Sequence, residues 1–149
     1  MRKYRIILFA LCIAASPCLH AKQLAVVTDT ANATKGLTLV EFLKIVNFKT
    51  HSWPDGTPVV LVMRDPSSAE MQLVLRRALN MTPEQSHSFV QAHKDSIVIA
   101  DSDQAVLRFV SAKHGAIGIV DLYSLTKDVS VLRVDGKLPV EQGYLLRGN

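Results

Sequence analysis

Cysteine is almost absent from this chain of 149 residues, and both copies, Cys12 and Cys18, lie near the amino terminus. Aromatic residues make up only 6% of the sequence, and no apolar run reaches the length that spans a bilayer as a helix. Beyond residue 18, a disulfide framework is therefore excluded. The scarcity of aromatic side chains argues against a stacking surface for single-stranded nucleic acid. Such a chain must be stabilised by a hydrophobic core.

The first 21 residues have the layout of a secretory signal peptide. A basic start precedes an unbroken apolar run over residues 6–15, and Ala21 supplies a small residue at the exit. The run of about ten residues is too short for a membrane anchor, which needs about 20. A lipoprotein fits less well still, because Pro17 stands where a small residue should precede Cys18. We expect cleavage after Ala21 and export to the periplasm.

Removal of this segment changes the charge of the chain. Three of the 17 basic residues leave with it and all 13 acidic residues stay, so the formal net charge falls from +4 to +1. The basic character of the precursor therefore predicts neither nucleic-acid binding nor membrane binding. The 128 residues that remain, 22–149, are enough for one domain.

Short β-rich segments alternate with amphipathic helical segments along this domain. The alternation predicts an α/β fold, with a mixed and mostly parallel sheet flanked by helices. A continuous apolar run over residues 58–63 is typical of a strand buried on both faces. The other predicted strands are 23–28, 96–100, 116–120, 129–134 and an edge strand at 144–146.

Capping signals mark the predicted helix starts. Thr38 and Glu41 form a capping box for a helix that reaches about Phe48, and Ser67 and Glu70 fit the same pattern for a helix over residues 69–80. Thr82-Pro83 and Asp101–Gln104 predict two further starts. The apolar residues of the first helix predict a broad buried stripe: Leu39, Val40, Phe42, Leu43, Ile45 and Val46.

The segment 58–80 is the best candidate for a binding site, because it predicts a strand, a short loop and a helix start. In open α/β sheets, ligands bind outside the carboxyl ends of the strands. Free backbone N–H groups and the helix dipole favour an anion at such a helix start. The predicted contacts to a small oxyanion come from the Arg64 guanidinium, the Ser67 and Ser68 hydroxyls, and the N–H groups of Ala69 and Glu70.

A purely structural interpretation of the same residues stays open. Ser67 then serves only as a helix cap with Glu70, and Arg64 pairs with a carboxylate. Glu70 counts against the anion site, since its carboxylate already uses the positive end of the helix. No histidine has metal-ligand spacing, and no nucleophile or cofactor motif is present, so we expect no metal, no cofactor and no catalytic residues.

Several segments, in this order, resemble the phosphate-type substrate-binding proteins of ABC transporters, which have a periplasmic-binding-protein fold. The resemblance covers nearly all of residues 22–149 and implies a non-enzymatic protein that binds phosphate. The matching segments are Leu24–Val27, Gly36–Leu43, Trp53–Pro58, Val62–Asp65, Asp101–Val106, Gly115–Val120 and Val131–Gly136.

Two departures from this family matter. Its phosphate loop reads Arg-x-x-x-Ser-Gly-Thr, and here Arg64 and Ser68 match, whereas Ala69 replaces the glycine and Glu70 the threonine. The family's members have two lobes that close on the ligand, and this chain resembles only one. A single lobe would have to bind an oxyanion weakly at an open surface, or complete its cleft with a partner or a second copy. The alternative is a ligand-free lobe that serves as an interaction module in the cell envelope.

Overall fold

The structure is a computed structural model that describes residues 22–148, so the signal peptide predicted at residues 1–21 lies outside the described residues. No helix in this range is long and apolar enough to cross a membrane. Its strands and α-helices follow in this order: β1 (Leu24–Asp29), β2 (Gly36–Leu37), α1 (Leu39–Val46), β3 (Val60–Arg64), α2 (Ala69–Leu79), α3 (Pro83–Ala92), β4 (Ile97–Ala100), α4 (Asp103–Ala112), β5 (Ala116–Asp121), β6 (Val129–Val131) and β7 (Arg133–Val134).

The main sheet has five strands in the order β4-β3-β5-β1-β6. Strand β3 pairs in parallel with β4 and β5, whereas β1 runs antiparallel to β5 and β6. Four strands therefore run in one direction and β1 runs in the other. Strands β2 and β7 form a separate parallel pair. The predicted fold class, α/β with a mixed and mostly parallel sheet, is confirmed.

Alternate side chains of β1 enter two separate cores, one on each face of the sheet. Leu24 and Val26 pack with helices α1, α2 and α3, and Ala25 and Val27 pack with α4. All four are fully buried, as expected for a strand inside a three-layer domain. Each large side chain buried in this way contributes about 1.5–3 kcal/mol of transfer free energy.

The capping box predicted for Thr38 and Glu41 is present at the start of α1. Thr38 accepts a hydrogen bond from the Glu41 N–H, and the Glu41 side chain accepts one from the Thr38 N–H. The helix ends at Val46, earlier than expected, because Phe48 adopts a left-handed backbone with φ of 57°. Val40 is 61% exposed, so its predicted place in the buried stripe is wrong.

Two strand predictions near the carboxyl terminus need correction. The apolar run 129–134 is divided at the fully buried Leu132 into β6, which pairs with β1, and β7, which pairs with β2. The edge strand predicted at 144–146 is absent from the described residues. Tyr144 and Leu146 are buried in the core instead, and the Leu24 N–H donates to the Leu146 carbonyl over 3.1 Å.

One edge of the main sheet gathers several chain segments. The parallel strands β3, β4 and β5 end there, and α2 and α4 begin there. Because β1 is antiparallel, its first residues lie at the same edge, where Leu24 pairs with Asp121. We call this the carboxyl edge.

Candidate anion-binding site

Arg64 is the last residue of β3 and points its guanidinium at two carboxylates. Its Nη1 donates to Oδ1 of Asp103 over 3.2 Å and lies 3.8 Å from Oε2 of Glu70. The side chain is 24% exposed, and its Nε is buried with no hydrogen-bond partner among the described residues. The sequence interpretation in which Arg64 pairs with a carboxylate is therefore realised, while part of the guanidinium still faces solvent.

Asp103 is the first residue of α4 and is only 6% exposed. Besides Arg64, it accepts hydrogen bonds at Oδ2 from the Asp121 N–H, over 3.0 Å, and from the Ser124 hydroxyl, over 2.7 Å. A buried carboxylate needs such donors, because an unpaired buried charge is costly. Asp103 thus ties together the ends of β3 and β5 and the start of α4.

The two serines of the loop have different roles. Ser68 is the N-cap of α2, and its hydroxyl accepts the Met71 N–H over 3.3 Å. Ser67 instead donates its hydroxyl to Asp65, whose carboxylate also accepts the Ser67 N–H over 2.7 Å. The predicted capping box between Ser67 and Glu70 is wrong, because Asp65 captures Ser67 in a local turn. The same two hydrogen bonds hold the pKa of Asp65 below its usual value.

Glu70 is the second residue of α2 and is largely buried, with its side chain 16% exposed. Its Oε1 accepts a hydrogen bond from Lys22, which lies just before β1. This bond lowers the pKa of Glu70, helped by the backbone N–H of Glu70 itself and by the nearby charge of Arg64, which together outweigh the opposing effect of burial. The Glu70 carboxylate is therefore held ionised at the helix start.

The site contains two cations and at least as many anions. Lys22 and Arg64 are balanced by Glu70 and Asp103 in direct contact, and the exposed Asp65 adds a further negative charge. An added anion must therefore compete with these carboxylates for the guanidinium. Between residues 22 and 148, no group of three or more histidine, cysteine, aspartate or glutamate side chains is placed to hold a metal ion.

All five predicted contact residues lie at the end of β3, in the loop that follows it or at the start of α2. They lie together at the carboxyl edge, but the hydroxyl of Ser67 is engaged with Asp65. Sequence reasoning missed Asp103 and Lys22. A signal for Asp103 existed, since it begins the helix after a second strand that ends at the same edge.

This fold is found in the phosphate-binding proteins of ABC transporters. Similar solved structures include an ABC-type phosphate transport receptor from Vibrio cholerae, at 17% identity and a TM-score of 0.73, over 86% of this chain and 55% of that chain. PstS from Borrelia burgdorferi matches at 19% identity and a TM-score of 0.73, over 87% and 55%. A phosphate-binding protein from Stenotrophomonas maltophilia matches at 18% identity and a TM-score of 0.65, over 80% and 40%.

The chain spans about half the length of these proteins. No protein-family model and no curated protein sequence matches it. The resemblance stated from the sequence is confirmed at the level of the fold: residues 22–148 form an α/β unit that corresponds to about half of a phosphate-binding protein.

Proposed function

We propose that this protein is an exported, non-enzymatic solute-binding protein that holds phosphate or another small oxyanion at the carboxyl edge. The observation that carries the proposal is the placement of Arg64 at the end of β3, directly beside the start of α2. Ligands of open α/β sheets bind at such edges. The similar structures named above include a phosphate transport receptor and a phosphate-binding protein, which supports the same class of ligand.

The ligand would contact the solvent-facing part of the Arg64 guanidinium and the amino end of α2. The predicted donors are the Ser68 hydroxyl, the N–H groups of Ala69 and Glu70, and the Ser67 hydroxyl once it is released from Asp65. The first N–H groups of a helix have no acceptor within the helix, and the helix dipole adds to their attraction for an anion. Because the site is open on one side and already holds carboxylates, we expect weak affinity that falls with added salt.

Calorimetric titration of the purified protein with phosphate, sulfate and acetate at low and moderate salt tests this proposal. We expect saturable heat with phosphate in the parent and none in Arg64→Ala. Arg108→Ala, an exposed arginine on α4, is the matched control and should bind like the parent. Phosphate binding that survives unchanged in Arg64→Ala would show that the anion sits elsewhere.

Export is tested separately, by mass spectrometry of the protein recovered from the periplasm of a bacterium that expresses the whole chain. A product that begins at Lys22 supports cleavage after Ala21. Full-length protein retained in the cytoplasm contradicts it.

A second candidate function is a ligand-free interaction module of the cell envelope. The observation that favours it is the engagement of Arg64 by both Asp103 and Glu70, which leaves the guanidinium neutralised without a ligand. A folded protein that gives no heat with any anion and that self-associates or binds a partner in light-scattering measurements supports this function. A strict monomer that binds phosphate supports the first.

A further inference from the structure

The Glu70 carboxylate occupies the place that an oxyanion would take. It lies 3.8 Å from Nη1 of Arg64 and accepts a hydrogen bond from Lys22, and Glu70 is the second residue of α2. A guanidinium, an ammonium and a helix N–H are the groups that a protein uses to hold a small oxyanion. Here the guanidinium and the ammonium act on a carboxylate of the chain itself, at the start of a helix.

We infer that Glu70 is an intramolecular competitor for the oxyanion, and that Lys22 holds it in the site. This inference rests on the proposed function and adds a regulation to the same site. A carboxylate tethered to the helix has a high effective concentration at the guanidinium, so an added anion binds only by displacing it. Glu70 therefore sets the affinity of the site.

Lys22 can bind either the Glu70 carboxylate or the added anion. In the parent protein its ammonium is committed to Glu70, and both groups border the start of α2. When the Glu70 charge is removed, the same ammonium becomes free to attract the added anion. We therefore expect the effects of changing Lys22 and Glu70 to be strongly non-additive, as for residues that share one contact.

Titration with inorganic phosphate tests the inference directly. Glu70→Gln keeps the size of the side chain and removes its charge, and Glu70→Thr shortens it and leaves a hydroxyl donor. We expect either change to raise the affinity for phosphate at least tenfold. Arg64→Ala in the Glu70→Gln background should abolish the gain, and Lys22→Gln should weaken binding several-fold in that background but less in the parent.

Glu84→Gln is the matched control. Glu84 is the second residue of α3, as Glu70 is of α2, and the pKa of each carboxyl lies below its usual value. The change removes the same charge from the same helical position at a different helix. Far-UV circular dichroism of each variant confirms that the fold is retained.

Each result has a separate meaning. A gain in Glu70→Gln and Glu70→Thr with none in Glu84→Gln supports the inference. Equal binding by the parent and the Glu70 variants overturns it and leaves the proposed function standing. An equal gain in Glu84→Gln also overturns it, because the effect is then one of net charge. If neither the parent nor any variant binds phosphate, both the proposed function and the inferred competition by Glu70 are overturned.

Discussion

Asp29 and His114 are joined by a hydrogen bond of 2.9 Å between Oδ1 of the carboxylate and Nδ1 of the ring, across the end of the sheet opposite the candidate site. Asp29 ends β1 and is 4% exposed. Its two oxygens also accept the N–H groups of Ala31 and Gly115, over 3.0 Å each. The carboxylate therefore fixes the turn between α4 and β5 against the end of β1.

This contact makes the free energy of unfolding depend on pH, with stability lost in acid. Burial raises the pKa of Asp29, but the hydrogen bonds from His114 and Gly115 outweigh it and hold the pKa below its usual value of 3.8. A group whose pKa is lowered by folding contributes stability above its unfolded pKa, and that contribution is lost as the pH falls through the folded pKa. The Asp29 contribution is thus full at neutral pH and disappears in acid below about pH 3.8.

We predict that Asp29→Asn lowers the free energy of unfolding at pH 7 by about 1–3 kcal/mol, since the amide satisfies the surrounding donors less well. Urea unfolding at pH 7 and near pH 3 measures the effect, and the difference between variant and parent should shrink at the lower pH. A difference that is the same at both pH values would contradict a role for the ionised carboxylate.

Gly115 and Gly56 provide a matched pair for separating backbone strain from a steric clash. Both have positive φ, 86° and 87°. A Cβ on Gly115 would lie 2.3 Å from the Pro58 carbonyl oxygen, whereas a Cβ on Gly56 would meet nothing within 4 Å. Gly56→Ala should cost about 1–2 kcal/mol from strain alone.

We predict that Gly115→Ala costs at least about 2 kcal/mol more than Gly56→Ala, because a backbone oxygen must move to admit the new atom. Thermal and urea unfolding of the two variants give the comparison. Equal losses would mean that the contact with Pro58 relaxes at no cost.

Asp103 is expected to matter for stability whether or not the site binds an anion. Asp103→Ala leaves Arg64, the Asp121 N–H and Ser124 without their shared acceptor, and removal of one member of a buried ion pair typically costs about 3 kcal/mol or more. Asp101→Ala, an exposed carboxylate one residue before the cap of α4, should change stability by less than about 1 kcal/mol. Chemical denaturation of both variants at pH 7 measures the contrast, and similar losses would refute the central place of Asp103.

Residue spacing predicted contacts correctly where both partners are close together in the sequence. The spacing of Thr38 and Glu41 predicted a capping box that the structure contains. The same spacing failed for Ser67 and Glu70, because two local motifs compete in that loop. Asp65 satisfies Ser67, so the cap moves to Ser68, and Glu70 turns to Lys22 instead.

The contacts that could not be predicted from the sequence depend on pairing between segments that are far apart in the chain. Asp103 meets Arg64 only because β3 and β4 are parallel neighbours, and Lys22 reaches Glu70 only because β1 runs the opposite way. The run 129–134 has one continuous β pattern, yet its two halves pair with different strands. These features depend on sheet order, which periodicity alone does not encode.

Substitutions at Val40 and Phe42 test which face of α1 is buried. Both belong to the apolar stripe expected from the sequence, but Val40 is 61% exposed and Phe42 is fully buried. Val40→Lys should therefore change the free energy of unfolding by no more than about 0.5 kcal/mol, as for other surface changes. Phe42→Ala should cost roughly 3–5 kcal/mol, because it removes core contacts and leaves a cavity.

Urea unfolding at neutral pH distinguishes the two sites directly. A large loss in Val40→Lys would mean that α1 presents Val40 to a covering surface in solution, either a second copy or a segment beyond the described residues. Size-exclusion chromatography with light scattering then separates these cases, since only a second copy makes the mass depend on protein concentration. A small loss at Val40 beside a large loss at Phe42 supports the placement of α1 with one buried face and one open face.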